Sequence, residues 1–169
     1  MTDRTCAARR RVATIALGAA VACIALAGCG GPEAASPVAT PVTPERMSAE
    51  ARASLPAGFP REVPVLAGEI TVAEVTGGSE LGPWRVVLVA PVTVADTFTW
   101  YRDAFVAASW QVGEERAGAS GAALVLGKGA GAWATVSITR ADAGATVEMW
   151  VGLGVPMPAE AVPEELDTI

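Results

Sequence analysis

Histidine is absent from all 169 residues of this chain, and lysine occurs once, at Lys128, against eleven arginines. Without histidine there is no Ser-His or Cys-His nucleophile system and no His-ligated metal. Cysteine is scarce: Cys6, Cys23 and Cys29 are the three. All lie in the first 29 residues, so the rest of the chain cannot close a disulfide within itself and must be held by its apolar core. Basic charge is short as well. The net charge is −6. Residues 1–28 carry Asp3, Arg4, Arg9, Arg10 and Arg11, a net +3, so the remainder carries −9. Phosphate backbones demand clustered Lys and Arg. No such stripe follows residue 28, and nucleic acid is not an expected partner.

The one extended uncharged run is residues 12–27, VATIALGAAVACIALA. It follows Arg9-Arg10-Arg11 and ends in Leu26-Ala27-Gly28-Cys29. It is shorter than the roughly 20 residues that span a bilayer and closes on small residues, as cleaved export signals do. The tetrapeptide LAGC resembles the lipobox of bacterial lipoproteins. That resemblance implies a signal peptide over residues 1–28, diacylglycerol on the Cys29 thiol, and a protein held by lipid on the extracytoplasmic face of the cell membrane. The three arginines invite comparison with twin-arginine signals, but Val12-Ala13-Thr14 matches poorly, which favours the general secretory route.

Residues 29–54 are rich in proline and alanine, with Pro32, Pro37, Pro41 and Pro44 and no strong apolar periodicity. They read as a disordered tether, about 25–30 Å in root-mean-square span. Pro44 to Ser54 contains a weak helical signal. Residues 55–153 read as one small domain, and residues 154–169, with Pro156, Pro158 and Pro163 among acidic side chains, as a mobile tail.

Within the domain, Glu69–Val75 and the apolar run Trp84–Ala90 read as strands. Thr93 and Asp96 form a capping-box-like start. Val94, Phe98, Tyr101, Phe105 and Ala108 then share one sector of a helix. Residues 110–114, 122–127, 132–140 and 145–153 read as four more strands between Gly-rich turns. The expected fold is α+β: an antiparallel sheet in ββαββββ order, with the last four strands a meander and one helix on one face. The expected inward set is Val86, Leu88, Val112, Leu124, Leu126, Val136, Ile138, Val147, Met149 and Val151. Gly58-Phe59-Pro60 and the Ser109-Trp110 unit after the helix are similar to features of small uncharacterised lipoproteins of actinobacteria, a likeness that implies no activity.

A turn at Asp142-Ala143 would pair Thr139 with Thr146, Ser137 with Glu148 and Thr135 with Trp150, with Trp133 diagonal to Trp150. Trp133, Trp150, Thr135 and Glu148 then lie on the sheet face away from the helix, where two indoles suit a sugar ring or an apolar partner. If they are exposed, changing both tryptophans to Ser shifts stability by less than about 1 kcal/mol. Trp100 lies off the helix's apolar sector and is expected to pack on the 55–66 segment.

Gly127-Lys128-Gly129-Ala130-Gly131 lacks the order of a phosphate loop and precedes a strand, so a hairpin turn is expected. Glu69, Glu74, Asp96, Asp103 and Glu148 form no recognisable acid–base pair, and Ser109 and Ser120 lack a base. No cofactor or metal is expected. The leading expectation is a tethered, non-enzymatic envelope protein that binds a partner protein or a cell-wall, glycan or lipid ligand through the open sheet face. The alternative is a structural accessory subunit of an envelope complex, and an enzyme comes third.

Overall fold

The computed structural model describes residues 42–163 except Ser79 and Glu80. They fall within one compact unit, Thr40–Ile169. The expected signal peptide, Cys29, the tether up to residue 41 and the tail from residue 164 lie outside the described residues.

The elements are β1 (Glu69–Val75), β2 (Trp84–Ala90), α1 (Val94–Ala107), β3 (Gln111–Ala117), β4 (Gly121–Lys128), β5 (Ala132–Ala141) and β6 (Gly144–Leu153). The fold is α+β, as expected. The six strands form one antiparallel sheet in the order β1-β2-β6-β5-β4-β3. The first hairpin sits at one edge and the β3–β6 meander folds back so that β6 closes against β2. Helix α1 connects β2 to the opposite edge strand, so its path crosses one face of the sheet.

The helix forms because Thr93 caps it. Its Oγ1 accepts from the Asp96 backbone N–H at 3.2 Å, which satisfies one of the orphan donors of the first turn. Its buried stripe is Val94, Thr97, Phe98, Tyr101 and Phe105. The far end closes with a Schellman motif: Trp110 N–H donates to Phe105 O and Ser109 N–H to Val106 O, both at 3.0 Å. Trp110 and Phe105 then meet edge to face, 5.3 Å between centroids. The Lys128 ammonium donates to Ala108 O at 2.9 Å and sits 5.8 Å from the Trp110 ring centroid. The lysine of the glycine-rich turn thus caps a helix C-terminus, where a cation is favoured.

The inward residues expected from alternation are buried, Val112 partly so. Phe59, Val63, Val65 and Leu66 complete that core. The Leu66 N–H donates to the buried Tyr101 hydroxyl at 3.3 Å, and burial holds that phenol's pKa far above its ordinary value. Trp100 is half-buried and packs edge to face on Tyr101, 4.9 Å between centroids.

Two boundaries differ from expectation. The chain is already folded before Leu55: Met47 N–H donates to Val65 O and Ala67 N–H to Glu45 O, each at 2.8 Å, as Arg46 bridges Leu66. Met47 is in the core, and a short 3-10 turn follows over Ala51–Ser54. Arg52 ties this segment down through Pro60 O and Val63 O, both at 3.1 Å. At the other end, residues 154–163 are not a free tail; they lie on the outer face of the sheet.

Candidate functional site

The outer face is built on the β5–β6 hairpin. Strict alternation puts Val136, Ile138, Val147 and Met149 inward, so their neighbours point out. The register is the one the sequence implies: Thr135 faces Trp150, Ser137 faces Glu148 and Thr139 faces Thr146. Trp133 faces Gly152, one step diagonal from Trp150. A Cβ on Gly152 would land within the Trp133 indole. Only bare backbone there lets the ring lie across β6.

The two tryptophans are not solvent-exposed. Each retains 9% of its surface, and together with Ala161, Val155 and Met157 they form a second apolar cluster. The covering strap leaves β6 at Gly154, whose φ is +68°. Trp133 Nε1 donates to Val155 O at 2.7 Å. The strap then makes a 3-10 turn over Ala159–Ala161, which seats Ala161 on the indoles. The expected exposure is therefore corrected. Two indoles on a sheet face draw in whatever apolar residues the neighbouring chain offers, and Val155, Met157 and Ala161 begin only two residues after β6.

Trp150 is also engaged on its polar edge and its face. Its Nε1 donates to Glu148 Oε1 at 3.0 Å, and the Arg85 guanidinium lies 5.6 Å from its ring centroid. Arg85 Nε donates to Glu148 Oε1 at 2.8 Å and its Nη1 to Glu74 Oε1 at 3.3 Å. The hydrogen bond that Arg85 donates to Glu148 raises the arginine's pKa above its ordinary value, with Glu74 adding to it. Glu74 and Glu148 thus share one arginine across three strands and hold it as a charged ladder. Asp96 takes part in the helix cap, and Asp103 pairs with Arg102 at 3.1 Å. Thr135 is buried beneath this layer.

Two recesses flank the strap. One, of about 350 Å³, opens between Ser137, Thr139, Glu148 and Trp150 on the sheet and Glu160 to Pro163 on the strap. The other, of about 540 Å³, lies between Thr76, Gly77, Gly82 and Pro83 on one side and Val155 to Pro158 on the other. Trp150 and Glu160 line both. The structure thus brings Trp133, Trp150, Thr135 and Glu148 into one layer. Sequence reasoning missed Arg85, Gly152 and the strap itself. Arg85 had a signal, as the one charged residue in an otherwise apolar strand.

Among the described residues, no group of three or more acidic or cysteine side chains is placed to hold a metal ion, and no helix is long and apolar enough to cross a membrane. Comparison of the chain with protein-family models, with curated proteins and with solved structures found no match.

Proposed function

We propose that the chain is an exported lipoprotein, anchored by lipid on Cys29 at the extracytoplasmic face of the cell membrane, whose α+β domain is a non-enzymatic binding module for an envelope partner. The observation that carries the anchor is the order of its parts in the sequence: Arg9-Arg10-Arg11, the uncharged run of residues 12–27, then Leu26-Ala27-Gly28-Cys29. The binding role draws on the outer face, where a hairpin rich in Trp, Thr, Ser and Glu meets two recesses beside the strap. Sugar stacking on Trp150 is not favoured, because Arg85 and Glu148 already engage that ring.

The test of the anchor is metabolic labelling with a fatty acid in cells that express the chain. The unmodified chain incorporates label and shortens; Cys29→Ala incorporates none and stays at precursor length. Equal labelling of the two forms overturns the anchor.

A further inference from the structure

The strap shows what chemistry the outer groove accepts, because it occupies that groove. Val155-Pro156-Met157-Pro158 runs from a bend at Gly154 and Val155 onto the two-indole cluster, and Pro158 has φ −71° and ψ 156°, the polyproline II region. Beside the apolar contacts of Val155, Met157 and Ala161, its polar grip on the sheet is a backbone contact: the Trp133 indole N–H donates to the Val155 carbonyl. An indole that donates to the carbonyl of an extended, proline-bearing segment is a recurrent way of reading such segments. It needs no particular side chain at that position, and the segment loses little entropy on docking.

Gly152 clears the space that lets Trp133 present this edge. The groove is also wider than its occupant, with about 350 Å³ on one side of the strap and about 540 Å³ on the other. The first recess is bordered by Glu148 and Glu160, so its rim suits a segment that carries a basic side chain near its prolines.

We propose that this groove docks an extended, proline-containing segment of a partner protein, and that residues 155–163 fill it in cis until the partner displaces them. The proposal rests on the binding-module reading and names the partner's chemistry. It does not depend on the lipid.

The experiment uses the full chain in detergent and a fluorescein-labelled peptide, GVPMPAEAV, the sequence of residues 154–162. A cis segment competes at an effective concentration near millimolar for a short link. The unmodified chain is therefore expected to bind the peptide weakly. Ala161→Asp loosens the strap without altering the sheet, and is expected to bind it at least tenfold tighter. Adding Trp133→Phe, which keeps a ring but removes the N–H, should cancel that gain. A peptide with both prolines changed to alanine should bind more weakly than the parent.

A folded Ala161→Asp chain that shows no saturable binding overturns the proposal, and so does binding indifferent to Trp133→Phe. Should Ala161→Asp not fold, Met157→Ser loosens the same strap and is read the same way. Fatty-acid labelling is scored separately, so a docking failure leaves the Cys29 anchor standing and a labelling failure leaves the docking result interpretable.

Discussion

The two faces of this sheet are covered in different ways. The inner face is sealed by α1, whose Phe98, Tyr101 and Phe105 recur along one stripe, and by Phe59 to Leu66. The outer face is covered by ten described residues with no periodic stripe, and three of them supply the contact: Val155, Met157 and Ala161. The inner cluster joins 25 buried residues and the outer one three. The inner covering therefore belongs to the cooperative unit. The outer one can open by itself, since local opening costs least where few apolar contacts are lost. A face that can be uncovered without unfolding the domain is the one suited to exchange its cover for a partner.

The sharpest way to break this comparison is to truncate one large side chain on each face. Phe105 is fully buried between helix and sheet. Phe105→Ala is expected to destabilise the domain by about 3–5 kcal/mol in denaturant unfolding, much of what a small disulfide-free domain has. Trp133→Ala is expected to cost less than a core truncation, about 2 kcal/mol, and to show first as faster hydrogen exchange at residues 155–163, because the strap detaches as a local unit. Both values exceed the near-neutral effect expected of an exposed tryptophan. Equal losses at the two sites, with no separate opening of the strap, would make the outer cluster part of the core.

The inner face was legible in the sequence because two periodicities specify it: 3.6 in α1 and 2 in the strands. The β5–β6 register followed for the same reason, since a one-residue slip would have turned Val136, Ile138, Val147 and Met149 outward. What covers the outer face was not legible. Proline breaks both periods, so Val155, Met157 and Ala161 look like any scattered apolar residues in a linker. Met47 was missed on the same ground: an isolated bridge, Arg46 with Leu66, has no repeat to detect. The Glu74–Arg85–Glu148 ladder needed the knowledge that β2 lies beside β6, a pairing of strands that are more than 50 residues apart and that no local signal encodes. The site residues Trp133, Trp150, Thr135 and Glu148 were placed on the correct face, but their surroundings were not.

The chain's one tyrosine reports on the inner covering alone. Tyr101 is buried and its pKa is raised by desolvation, partly offset by the hydrogen bond from Leu66 N–H. A raised folded pKa means that this group's contribution is intact below the unfolded value of about 10. Above that pH the unfolded chain releases a proton that the folded one keeps, so stability falls by up to about 1.4 kcal/mol per pH unit. Tyrosinate absorbance is therefore expected to appear only as the domain unfolds, well above pH 10. A reversible titration near the ordinary value in the folded protein would mean that the helix side opens as readily as the strap.

The smallest expected effect concerns how α1 ends, and so how firmly the inner covering is held. Ser109 takes φ +64°, the only non-glycine residue with positive φ among those described. It sits at the position of the Schellman motif where glycine pays no Cβ penalty. Ser109 is exposed, and its backbone N–H already donates to Val106 O, so replacing the side chain removes strain and leaves that backbone bond in place. Ser109→Gly gives back flexibility to the unfolded chain, which opposes the gain. Relief of left-handed strain, about 1 kcal/mol, is the larger of the two, and the net expectation is a stabilisation of about 0.5 kcal/mol. Because the gain acts on the helix, it should raise the unfolding midpoint while hydrogen exchange at residues 155–163 stays as it was. If exchange in the strap slowed in step with global stability, the two coverings would open together, and the difference between the faces would be one of composition only.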